Sequence, residues 1–129
     1  MKKLLTLLVT TLLAATLQAG PGEYPDISIA ELKAAIAAKT VTIVDVNGTD
    51  SYKSGHIPGA VDYQGAKTIS SDLPKDKSAL VVAYCGGPSC SAYAAAADAA
   101  KKLGYTNVKH LSAGISGWMK AGEKTDEVK

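Results

Sequence analysis

The chain carries two cysteines, Cys85 and Cys90, with Gly86-Gly87-Pro88-Ser89 between them. An apolar run, Leu80 to Tyr84, precedes the first, and an alanine-rich stretch from Ser91 to Leu103 follows the second. A continuous apolar run suits a central strand buried on both faces, and the alanine-rich stretch reads as a helix. Cys85 therefore stands at a strand-to-helix junction, the place where open α/β sheets bind ligands. Gly86 and Gly87 permit a tight curl. Successive N–H groups in such a curl form an anion nest, and the amino end of the following helix adds positive potential. Nearby positive dipoles lower a thiol pKa, so Cys85 is predicted to be a thiolate. A thiolate can take up a sulfane sulfur as a persulfide. The backbone amides of Gly86, Gly87, Ser89, Cys90 and Ser91 would then stabilise the anion, while Pro88 has no N–H to offer. This chemistry calls for no general base and no cofactor. A small buried cysteine without a role is the competing reading of Cys85.

Cys90, at the far end of the same segment, admits three readings. It can be paired with Cys85 as a disulfide, buried and inert, or a resolving thiol that attacks an oxidised or persulfidated Cys85. The other polar candidates take supporting roles. Asp45 ends a β-branched run, Val41 to Val46, and is expected to hydrogen-bond loop amides rather than act as an acid. His56, before Ile57-Pro58-Gly59, is a candidate base but is better read as fixing its loop by hydrogen bonding. Ser89 and Ser91 can cap the alanine-rich helix or donate to bound sulfur. His110 is expected at the surface, and Trp118 in the core. Two Cys and two scattered His lack metal-ligand spacing.

Positioning these residues requires alternating elements. Ser28 and Glu31 form a capping-box pattern, followed by Ile29, Leu32 and Ile36 on one helical face to Ala38. Val41–Val46 reads as a strand, Asp50–Lys53 as a helical turn, Ala60–Tyr63 as a brief strand, and residues 64–78 as unpatterned. Val108–Leu111 reads as a short strand and Ile115–Ala121 as a last helix. The charged tail from Gly122 is expected to fray. Strands alternating with helices predict an α/β fold, a small parallel sheet of about five strands flanked by helices.

Lys2 and Lys3 precede an apolar run from Leu4 to Leu17, and Ala19 offers a small-residue exit. This is the pattern of a signal peptide over residues 1–19, followed by a linker over 20–25, a domain over 26–122 and a charged tail over 123–129. The expected location is exported and periplasmic, with no stable membrane insertion once the leader is removed. All 14 basic residues are Lys. Without the leader, 12 Lys face 12 acidic residues. A neutral domain lacking Arg offers no electrostatic case for nucleic acid and no guanidinium fork for a phosphoryl group.

Asp45-Val46, Tyr52, Gly55-His56-Ile57-Pro58-Gly59-Ala60, Tyr84-Cys85, Gly104-Tyr105 and Gly114-Ile115-Ser116-Gly117-Trp118 follow one another in an order that resembles the single-domain rhodaneses. The resemblance covers residues 26–122. It implies a five-stranded parallel sheet and sulfur transfer through a persulfide on Cys85, with the amides from Gly86 onward as the cradle. The chain departs from the family pattern at Asn47, where Arg is usual, and its loop carries no charged side chain. Weak turnover of the thiosulfate dianion is expected, and a persulfide or polysulfide, small or protein-borne, is at least as good a candidate donor, the choice between thiosulfate and persulfide staying open. The phosphatase and arsenate-reductase relatives close a wider loop with Arg, which this chain lacks. A thiol–disulfide or redox-sensing protein using Cys85 and Cys90, and a non-catalytic binding module, are the alternative functions.

Overall fold

The computed structural model describes residues 24–129. The leader expected over residues 1–19, and most of the 20–25 linker, lie outside the described residues. Four strands form one parallel sheet: β1 (Val41–Asp45), β2 (Val61–Asp62), β3 (Leu80–Tyr84) and β4 (Val108–His110), in the order β2-β1-β3-β4. Helices α1 (Ile29–Ala38), α2 (Thr49–Ser54), α3 (Tyr93–Lys102) and α4 (Gly114–Lys120) connect and flank them. α1 begins with both halves of the predicted capping box, Glu31 N–H donating to Ser28 Oγ at 3.1 Å and Ser28 N–H to Glu31 Oε2 at 2.9 Å.

The expected fifth strand is a single bridge, so the sheet has four strands among the described residues. Pro25 to Ile27 runs beside β4, with Asp26 opposite His110. His110 N–H donates to the Pro25 carbonyl and Ile27 N–H to the His110 carbonyl, both at 2.9 Å. Pro25 has no N–H with which to extend the pairing, and Ser28 already turns into the helix cap.

β3 is the spine. It pairs with β1 over five residues, Val41 with Leu80 through Asp45 with Tyr84, and with β4 over three. Its side chains alternate between two cores. Val81 and Ala83 pack with Ala96, Ala97, Ala100 and Tyr105 on the α3 side. Val82 and Tyr84 pack with Leu32, Ile57, Leu111 and Trp118 on the opposite side. Small Ala side chains let α3 lie close on the sheet, and the two-sided burial explains why Leu80–Tyr84 is apolar throughout. Within the stretch that shows no pattern in sequence, a 3₁₀ turn at Ile69–Ser71 delivers Ile69 and Leu73 to the α3-side core.

The tail expected to fray is held. His56 and Asp126 exchange both backbone hydrogen bonds at 2.9 Å, and Val128 N–H donates to the Lys53 carbonyl at 3.0 Å. Trp118 is buried as expected, and its Nε1–H donates to the Lys124 carbonyl at 2.8 Å. Backbone pairing, which charged side chains do not forbid, outweighs the tail's composition.

Candidate functional site

β1 is followed by a chain that turns to β2 on one side, and β3 by a chain that turns to β4 on the other. The carboxyl ends of β1 and β3 thus flank a topological switch point, the crevice where such sheets bind ligands. Cys85 comes directly after β3, and Asn47 follows β1. The two segments meet: Val46 N–H donates to the Tyr84 carbonyl at 3.1 Å, and a β-carbon on Gly86 would lie 3.8 Å from Asn47 Oδ1.

Cys85 is 1% exposed and joined to Cys90 in a disulfide, with the two Cα atoms 6.3 Å apart. Of the three readings of Cys90, the structure presents the first. Cys90 itself is partly exposed, so the bridge joins a buried residue to a half-buried one.

The loop is fixed from a direction the sequence reading did not single out. Ile115 N–H donates to the Cys85 carbonyl at 2.9 Å, and Ser116 N–H to the Gly86 carbonyl at 3.0 Å. The first turn of α4 thereby holds two consecutive peptide groups of the cysteine loop. All peptide bonds here are trans, and in a trans peptide the N–H points opposite to the C=O. With both carbonyls turned toward α4, the N–H groups of Gly86 and Gly87 are turned away from it. Among the described residues neither donates to another backbone group.

Contact this close depends on Gly114. Its φ is +61°, and a β-carbon there would stand 2.6 Å from the Gly86 carbonyl carbon and the Gly87 nitrogen. Ser116 packs similarly, its Oγ lying 2.9 Å from where a Gly87 β-carbon would be. The signal for these residues is present in the stretch from Gly114 to Trp118.

Several expectations are corrected. Cys90 N–H is not available to a cradle, because it closes a turn onto the Gly87 carbonyl at 3.1 Å. Neither Ser89 nor Ser91 caps α3. The helix starts at Tyr93, two residues later than expected, and no side chain caps it. Residues 90–92 are drawn into the loop by the disulfide and the Gly87 turn.

Asp45 does not reach the loop amides of 86–91. It is 1% exposed, and its carboxylate accepts from Tyr84 Oη and from Asn47 N–H, the latter at 2.7 Å. Tyr84 Oη in turn accepts from Ile57 N–H at 3.0 Å. Burial and the Asp45 carboxylate push the Tyr84 phenol well above its ordinary pKa, so it remains a donor. This buried chain of bonds ties β1 to β3 and to the His56 loop immediately below Cys85.

His56 is buried. Its Nδ1 lies 2.7 Å from the Tyr52 carbonyl, and its ring stacks on Tyr52 with centroids 3.8 Å apart. It is bound to Tyr52 and Asp126 rather than to the cysteine loop. His110, expected at the surface, is 8% exposed and stacks on Tyr93 with ring centroids 3.4 Å apart. Its Nε2 is buried without a hydrogen-bond partner. Burial lowers its pKa below the ordinary value, opposed by the Asp26 carboxylate. Tyr93 covers the face of its ring, and the Pro25–Ile27 segment pairs with its backbone along the outer edge of β4.

Comparison with known proteins agrees with this architecture. The sequence profile described as the rhodanese-like domain matches residues 28–121. A curated HTH-type transcriptional regulator of Mycobacterium tuberculosis is 37% identical over 103 residues, covering 78% of this chain and 44% of the regulator. The chain thus spans less than half of that relative. A Bacillus halodurans protein of known crystal structure superposes with a TM-score of 0.66 at 30% identity, covering 81% of this chain and 77% of its own. A thiosulfate sulfurtransferase of Pseudomonas aeruginosa shares the fold with a TM-score of 0.64 at 24% identity, covering 82% of this chain and 21% of its own.

Proposed function

This chain belongs to the rhodanese-like domain family, and from that premise we propose that it is a sulfurtransferase carrying sulfane sulfur as a persulfide on Cys85. One observation carries the reading. The peptide groups after Cys85 are held by their carbonyls on α4, so the N–H groups of Gly86 and Gly87 are left for an anion at the end of β3. Fixed donors of this kind stabilise a thiolate or persulfide without reorganising when charge develops. They replace the cationic side chain that the loop lacks.

The reaction starts from the reduced pair. The Cys85 thiolate attacks the outer sulfur of a persulfide donor and the donor leaves as a thiolate. The sulfur now on Cys85 is then attacked by an acceptor thiolate or cyanide, which carries it away and returns Cys85. The donor is a small persulfide or polysulfide, or a persulfide-bearing protein. Thiosulfate is a poor donor, because the loop from Gly86 to Ser91 carries no cationic side chain to meet its second charge. Export to the periplasm belongs to the same reading and rests on Lys2, Lys3 and the apolar run Leu4–Leu17.

The test is sulfur transfer from glutathione persulfide to cyanide by the reduced chain and by Cys85→Ser. The reading requires transfer by the first and none by the second. Equal transfer by both would refute it. The Cys85–Cys90 disulfide favours a second reading, a thiol–disulfide protein, in which the pair exchanges electrons with a partner and never takes up sulfur.

A further inference from the structure

The disulfide shows that Cys90 Sγ can come within bonding reach of Cys85 Sγ while the loop keeps its turn onto Gly87. A group that can bond to the bare Cys85 sulfur can also attack that sulfur when it carries a persulfide. We infer that Cys90 is the resolving thiol of a sulfide-releasing cycle, so that the chain reduces sulfane sulfur to hydrosulfide as well as transferring it. This inference rests on the persulfide reading of Cys85 and adds a fate for the bound sulfur.

In the resolving step Cys90 Sγ attacks Cys85 Sγ, and the Cys90 proton passes to the outer sulfur of the Cys85 persulfide anion. The Cys85–Cys90 bond forms. The bond between Cys85 Sγ and the outer sulfur breaks, and its electron pair leaves with that sulfur, which carries the proton from Cys90 and departs as hydrosulfide. The outer sulfur is reduced, Cys90 Sγ is oxidised, Cys85 Sγ exchanges one sulfur–sulfur bond for another, and no further oxidant enters. The product is the disulfide seen in the structure. An external dithiol closes the cycle by reducing it and becoming a disulfide in turn.

The asymmetry of burial sets the order of that last step. Cys85 is 1% exposed and Cys90 is partly exposed, so the dithiol meets Cys90 first. Cys85 then departs as the thiolate, which the oriented amides of Gly86 and Gly87 stabilise. A low-pKa leaving thiol departs faster. Reduction therefore delivers Cys85 in the state that accepts the next sulfur.

An intramolecular thiol held at this range acts at high effective concentration. Internal release then competes with transfer to an outside acceptor, and Cys90 sets how long sulfur stays on the protein.

The experiment loads the reduced full chain with one equivalent of glutathione persulfide, removes small thiols, and follows intact mass and free sulfide with time. The wild-type chain is expected to lose its added sulfur as sulfide while the disulfide re-forms. Cys90→Ser and Cys90→Ala are expected to hold the persulfide roughly tenfold longer or more, the loss of an intramolecular reactant being a large effect. If wild type and both variants hold sulfur equally long, or release sulfide equally, the inference is overturned while sulfur uptake by Cys85 stands. If none of the three takes up sulfur, the sulfurtransferase reading itself fails and this cycle fails with it.

Discussion

Gly114 lies against Gly86 so closely that a β-carbon on Gly114 would stand 2.6 Å from the Gly86 carbonyl carbon. The first turn of α4 can therefore reach the Cys85 and Gly86 carbonyls only if position 114 lacks a side chain. The fold's last helix thus belongs to the site as much as the loop that follows β3.

Gly114→Ala is expected to destabilise the chain by roughly 2–4 kcal/mol through overpacking and left-handed strain, and to slow sulfur uptake by Cys85. Gly122→Ala separates the two effects. Gly122 also has a positive φ, +80°, but a β-carbon there meets nothing within 4 Å. It should lower the urea midpoint through strain alone and leave sulfur uptake at the wild-type rate. Equal uptake by wild type and Gly114→Ala would separate α4 from the chemistry.

Tyr84→Phe removes the hydroxyl that donates to Asp45 and accepts from Ile57 N–H. Both partners are left buried without it, and the expected loss is roughly 1–3 kcal/mol by urea unfolding. Unchanged stability would mean that this buried chain of bonds does not tie the two strands together.

The pH dependence of stability carries the signature of His110. Its pKa is lowered by burial, so the unfolded chain binds the proton more readily than the folded one. Its neutral form carries no such penalty above the ordinary His pKa near 6.5. Stability is lost as pH falls from there toward the depressed folded pKa. His110→Gln should flatten this part of the profile, measured as the urea midpoint against pH. A variant profile as steep as wild type would place the dependence on other groups.

Removing residues 124–129 takes away the Asp126 bridge to His56 and the Lys124 carbonyl that receives Trp118 Nε1–H. We expect a loss of roughly 1–3 kcal/mol, read as a lower thermal midpoint. No shift would restore the frayed tail that composition alone predicts.

Periodicity and capping made the frame legible. The box at Ser28 and Glu31 placed α1, and the unbroken apolar run placed β3 with Cys85 at its end. What stayed hidden depends on contacts distant in sequence. Asp45 looks available to the loop until Tyr84 Oη occupies it. Ser91 looks like a cap until the link between Cys85 and Cys90 delays the helix to Tyr93. His110 looks exposed because nothing local announces that Tyr93 will stack on its ring or that Pro25–Ile27 will pair along its strand. The Gly114–Trp118 stretch was visible as a resemblance, but its hold on the Cys85 carbonyl emerges only when α4 is laid against the loop.

The titration of Cys85 tests the central claim most directly, that oriented peptide groups alone make this sulfur an anion. In a reduced Cys90→Ser chain, the rate of alkylation by iodoacetamide against pH reports the Cys85 thiol alone. The account predicts a midpoint below about 7.5, within the range of thiols activated by local positive dipoles. A midpoint at or above about 8.5, the value of a free cysteine, would contradict it.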